Sequence, residues 1–234
     1  MTRTASLDES VNRSDARIYR YVVRVDTGSA PNPFGGWCTL AICKPRIRNL
    51  ARRGDWVIGF RSRAPGSVIY VMQVQDMLTF AGFWNDDRFA AKKPNRCRSS
   101  DSIYRPDRTG GLTQVPNLVH SSGDVARDLA SPNVLASRRF WYFGASSPDL
   151  STDLVHLVHS GIGETYKSRR GGDIELLEDW TSAWQVGVHG EPVDGALLSD
   201  APGCVRAPAS STLAAGVCGR VPAKTLRAKR QKCQ

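Results

Sequence analysis

The chain has 234 residues, 41% hydrophobic and 23% charged, a globular composition with length enough for one domain and a sizeable core. Its longest apolar runs, such as Val68–Val74, fall far short of the roughly 18 residues of a membrane span, and Met1–Arg13 lacks a signal peptide's apolar stretch, so a cytoplasmic protein with no membrane partner is expected. The formal net charge of +10 points to an anionic partner, although half of it, a net of +5, lies from Pro192 onward.

Residues 1–16 are polar without an apolar period and read as a disordered lead; 192–234, built largely from Ala, Pro, Ser, Gly, Arg and Lys, read as a disordered basic tail. That leaves 17–191 as the domain. Ile18–Val25 alternates as a strand, and a loop with two prolines and two glycines follows over Asp26–Gly36. Pro45 opens a helix to about Arg53, with Ile47, Leu50 and Ala51 on one face and Arg46, Arg48, Arg52 and Arg53 on the other side or its margins. Asp55–Phe60 and Val68–Leu78 form a hairpin about Ala64-Pro65-Gly66, and a short helix over Phe80–Phe89 places Phe80, Phe83 and Trp84 on one side. Ala90–Arg138 reads as mostly irregular. Arg139–Gly144 returns as a strand, and Asp149–His159 and Asp173–Trp184 read as helices. The expected class is α+β, a small barrel-like mixed sheet with flanking helices.

Asp26-Thr27-Gly28, Ala30-Pro31-Asn32-Pro33-Phe34, Cys38-Thr39-Leu40-Ala41, Cys43-Lys44-Pro45 and Gly54-Asp55-Trp56-Val57, continued by Phe83-Trp84-Asn85-Asp86-Asp87-Arg88-Phe89, Ser102-Ile103-Tyr104-Arg105-Pro106 and Phe140-Trp141-Tyr142-Phe143-Gly144, resemble the nucleotide modification associated domain of the second type. The resemblance covers about Ile18–Glu191. It implies an association with bacterial and phage systems that modify nucleic-acid bases, and it carries no reaction step with it. The order of basic helix, Gly-Asp, apolar strand, turn and strand is similar to the PUA-like and EVE-like barrels, some of which read modified bases, an analogy of order alone.

Arg46, Arg48, Arg52, Arg53, Arg61 and Arg63 concentrate positive charge and are the candidate phosphate ligands. Asp26 at a strand end and Asn32 between prolines offer polar edges to a base or serve as turn formers; Trp37, Trp84 and Asn85 are further candidates for base contact, with core packing the alternative for the tryptophans. Cys43, beside Lys44 and a helix start, is a candidate nucleophile or a small buried hydrophobe. Its offset from Cys38 suits neither a local disulfide nor a metal pair, and all six cysteines read as thiols. No metal site and no cofactor are expected, for no zinc spacing, P-loop or dinucleotide fingerprint is present.

Two functions remain open. The first is a binding module for a nucleic acid or nucleotide with an altered base, the basic helix at phosphates and the Asp26–Trp37 loop around the base. The alternative is an enzyme on a base or nucleotide with Asp26 as acid/base and Cys43, activated beside Lys44, as nucleophile. Either fits other base-modification proteins as partners.

Overall fold

The computed structural model describes residues 16–94, 99–161, 164–165 and 171–195, so the expected disordered lead and tail lie almost wholly outside the described residues. Strand β1 (Ile18–Val23), strand β2 (Cys38–Leu40) and helix α1 (Pro45–Leu50) precede the hairpin of β3 (Trp56–Arg61) and β4 (Val68–Gln73). Next come β5 (Asp76–Thr79), α2 (Phe80–Asn85) and a 3-10 segment, Asp87–Lys92. The chain continues through β6 (Tyr104–Pro106), β7 (Leu112–Gln114), α3 (Val125–Asp128), β8 (Asn133–Ser137) and β9 (Phe140–Tyr142). It ends with β10 (Glu164–Thr165), α4 (Asp173–Ser182) and β11 (Gly187–Val188). This is a mixed α+β fold with several sheets and few helices.

The strands form a six-stranded sheet in the order β10-β1-β3-β4-β9-β11, a three-stranded sheet β2-β8-β5 and the ribbon β6-β7. β1 runs parallel to β3, and β9 parallel to β11; the other pairs are antiparallel. No closed barrel is found among the described residues. The reason is local to Val68–Leu78, which reads as one strand but serves two sheets: Val74 N–H still bonds Asp55 O, while Gln75 N–H already reaches Ala136 O in β8.

Register aligns Tyr21, Gly59, Tyr70 and Tyr142 across β1, β3, β4 and β9, on one face of the large sheet. A Cβ on Gly59 would come within 2.4 Å of the Tyr70 ring, so the glycine is the space into which that ring leans. The outer two hydroxyls support the loop above: Tyr21 OH donates to Ala30 O at 3.3 Å and Tyr142 OH to the Asp26 carboxylate at 2.7 Å.

On this face the core joins the sheet to β2, α1 and β8; on the other, Trp56 and Trp141 stack at 6.1 Å beside Leu154, Leu157 and Leu177. Among the described residues, the segment expected to be mostly irregular, Ala90–Arg138, holds β6, β7, the 3-10 turn Ser122–Asp124, α3 and β8, each of five residues or fewer, besides the end of the 3-10 segment Asp87–Lys92. The helix expected over Asp149–His159 is a 3-10 segment, Thr152–Leu157.

Candidate functional site

Cys43 sits between β2 and α1, in a tight strand-to-helix turn. It and Lys44 both have left-handed backbone, φ 59° and 44°, a conformation that costs a non-glycine residue of order 1–3 kcal/mol and persists only where its surroundings impose it. Those surroundings are specific. Asp128 Oδ1 accepts the Cys43 N–H at 2.9 Å, Arg48 Nε donates to Cys43 O at 2.7 Å, and Arg48 N–H donates to Lys44 O at 3.1 Å.

Two residues from the segment expected to be irregular complete the group. His120 places Nε2 3.4 Å from Cys43 Sγ and Nδ1 2.5 Å from Asp128 Oδ2. Asn117 Oδ1 accepts from the backbone N–H groups of Val119 and His120, at 2.9 and 2.7 Å, which shapes the turn that presents the ring. Asp128, at the end of α3, also accepts from Tyr104 OH at 2.9 Å. Cys43, His120 and Asp128 are 3%, 8% and 0% exposed, so water does little to screen them.

The order thiol, imidazole, carboxylate has a defined chemistry. The carboxylate holds a proton on Nδ1, leaving Nε2 to take the thiol proton, and the carboxylate then stabilises the imidazolium. The ligating atoms of the three residues also lie within 4.8 Å of one another, close enough for a metal set. The ring nitrogen facing the thiol, however, is not the one facing the carboxylate. An ion shared by all three would require the ring to turn and give up its bond to Asp128.

Several expectations are corrected by burial. Arg48 is not on the outer basic face: it is 0% exposed and donates to the carbonyls of Cys43, Asp128, Ser131 and Asn133. Helical rotation places it to the side of the Ile47 face, and β8 and α3 close over that side. Asp26 bonds a different set of residues from Cys43. Its carboxylate accepts from Tyr142 OH, Gly28 N–H and Val193 N–H, and burial raises its pKa despite the Tyr142 bond. Asn32 is 0% exposed; its Oδ1 accepts from Lys92 Nζ at 2.9 Å and Phe34 N–H at 3.2 Å, and its Nδ2 donates to Ser99 O at 3.4 Å. Both thus have their polar edges turned to protein partners.

Lys44 lies with Nζ 4.7 Å from the centre of the Tyr21 ring. Trp37 carries the guanidinium groups of Arg88 and Arg138 at 5.1 and 5.0 Å and meets Phe89 edge-on, so its ring is occupied. Trp84 is half-buried with Lys93 5.1 Å from its ring, and Asn85 is exposed. The remaining arginines beside β3 divide between its two ends, about 20 Å apart at 3.3 Å per residue. Arg52 and Arg53 lie at one end, where Arg52 caps the carbonyls ending α1 and Arg53 pairs with Asp76 at 3.3 Å; Arg61 and Arg63 lie at the other, and Arg46 is exposed on α1.

The loop over 26–36 is held by a lysine that no local spacing ties to it. Lys92, 1% exposed, donates from Nζ to Asn32 O at 2.7 Å and Trp37 O at 2.6 Å, besides Asn32 Oδ1. Burial lowers its pKa to about 8, while the nearby Asp101 opposes the shift; burial raises Asp101 to about 6, opposed by Lys92 and by the 2.6 Å bond from Thr39 OH.

His120 and Asp128 stand 77 and 85 residues from Cys43, and no local spacing links them to it. A family model described as nucleotide modification associated domain 2 matches residues 15–199. No curated protein and no solved structure matches.

Proposed function

Since the chain belongs to the nucleotide modification associated domain 2 family, we propose that it is an enzyme of a base-modification system that acts on a nucleotide or nucleic-acid base through the Cys43 thiol. The observation carrying this reading is the line Cys43 Sγ, His120 imidazole, Asp128 carboxylate. In it His120 Nε2 takes the thiol proton, Sγ bonds an electrophilic carbon of the base or of a group carried on the nucleotide, and the imidazolium returns the proton to the atom that gains the displaced electron pair. Asp128 orients the ring and Arg48 fixes the backbone on both sides of it. Lys44 adjoins the thiol in sequence, with its Nζ over the Tyr21 ring.

The competing module that only binds a base was built on Asp26 and Asn32 as readers of its edge. Their hydrogen-bonding groups are engaged by protein partners, Lys92 and Tyr142 among them, so that reading keeps the surface arginines, Trp84 and Asn85 as support.

The test compares nucleosides by mass spectrometry from cells carrying the wild-type gene, Cys43→Ser, or none, together with the intact mass of the purified protein after exposure to cell nucleotides. The expected result is a gene-dependent nucleoside, absent with Cys43→Ser, and a mass adduct on Cys43. A nucleoside made equally by wild type and Cys43→Ser would overturn the thiol mechanism.

A further inference from the structure

At the carboxyl ends of the parallel pair β1 and β3 lies a cleft of about 760 Å³ that includes Arg24, Arg61, Arg63, His159, Asp26 and Asp194 in its lining. That volume suits a nucleotide-sized ligand, since small-molecule sites run from roughly 300 to 1,000 Å³. Three arginines face two carboxylates, and both carboxylates are engaged: Asp26 with Tyr142 OH and Val193 N–H, and Asp194 Oδ2 with Asp26 N–H at 2.8 Å.

One of the arginines, Arg61, is held in place. Arg61 Nη1 donates to Ala145 O at 3.3 Å and Ser147 Oγ at 3.1 Å, which fixes one edge of its guanidinium. Arg63 is exposed and projects from the hairpin turn on left-handed backbone, φ 66°, a conformation uncommon outside glycine. A fixed guanidinium beside an exposed one is an arrangement suited to phosphate oxygens, which accept paired N–H groups from arginine.

We propose that this cleft binds the phosphate groups of a nucleotide, free or within a strand. The proposal deepens the reading above by naming where the substrate's phosphate is held, and it rests on different residues from those of the thiol group. It also divides the arginines near β3 into two classes. Arg61 and Arg63 line the cleft; Arg46, on α1, and Arg53, just before β3, do not.

The experiment measures binding by the full-length chain carrying Cys43→Ser, so that loss of turnover and loss of binding cannot be confused. The probes are a fluorescent nucleoside triphosphate and a fluorescent single-stranded 12-nucleotide DNA, each competed with tripolyphosphate at two salt concentrations. Arg61→Gln with Arg63→Asn, chosen because asparagine tolerates left-handed backbone, is expected to weaken binding about tenfold or more. Arg46→Ala with Arg53→Ala is expected to leave it within about twofold. Melting temperatures of both variants establish that each is folded. Binding of the triphosphate, displaced by tripolyphosphate, identifies a free nucleotide; binding of the 12-mer alone identifies a strand. Equal losses in the two double variants, or no binding of either probe, would overturn the proposal.

Discussion

The Arg48 guanidinium donates to the carbonyl of Cys43 at 2.7 Å, and the same group reaches the carbonyl of Asp128 at 2.5 Å. One buried cation therefore fixes the backbone of both ends of the thiol–imidazole–carboxylate line. Lysine has neither the planar fork nor enough donors to replace it. Arg48→Lys is expected to cost about 3–5 kcal/mol in urea unfolding, the usual penalty for breaking a buried charged network, whereas Arg46→Ala on the surface should stay within about 0.5 kcal/mol.

The thiol itself can be tested without a substrate. Cys38, 0% exposed and with its pKa pushed by burial to about 12, is an internal standard for an inert cysteine. Peptide mapping after brief iodoacetamide treatment should find Cys43 alkylated well before Cys38. His120→Gln should slow alkylation of Cys43 at pH 7 by about tenfold or more without changing the Cys38 rate, since it removes the base that takes the thiol proton. Equal rates in wild type and His120→Gln would show that the imidazole does not activate the thiol.

Asp101 makes stability depend on pH in a stated direction. Its pKa is raised by burial to about 6, so between about pH 4 and 6 the folded protein retains a proton that the unfolded chain has released. Its contribution is thus complete below the ordinary carboxylate range and is lost as pH rises through about 6. Urea midpoints at pH 4.5 and 6.5 should reveal that fall, and Asp101→Asn should remove this component. A fall of the same size in Asp101→Asn would assign it to another group.

Gly59 offers a test of the tyrosine row. A methyl group there would meet the Tyr70 ring at 2.4 Å and Val23 at 2.8 Å. Gly59→Ala is expected to destabilise by about 1–3 kcal/mol, and Tyr70→Leu in the same chain should recover part of the loss by withdrawing the ring. Thermal melts of the single and double variants measure the coupling.

The local patterns in the sequence located most of the large sheet. β1, the β3–β4 hairpin, β9, α1, α2 and α4 all follow from alternation, periodicity or a proline start, because each is long enough or well enough bounded to leave such a mark. β8 leaves little. It is five residues between Pro132 and Arg138, and its role comes from pairing with β2 and β5, which lie far away in sequence. The same holds for the site. Cys43 is visible through its neighbours Lys44 and Pro45, whereas His120 and Asp128 acquire their meaning only when β8 and α3 bring them against the β2–α1 turn. The burial of Arg48 escapes the pattern for the same reason: helical rotation gives a side chain's direction, and a distant segment decides whether water is there.

The lacing of Asp26 has a consequence for how the protein is made. Its carboxylate accepts from Val193 N–H, its own N–H donates to Asp194 Oδ2, and its carbonyl accepts from Asp194 N–H, across 167 to 168 positions of chain. A ribosome adding about 5–20 residues per second reaches those partners roughly 10–30 s after it makes Asp26. Through that interval the carboxylate has Gly28 N–H and, once it is made, Tyr142 OH, and the loop has only its nearer anchors. Translation thus sets the order in which the fastenings close, and this one is among the last.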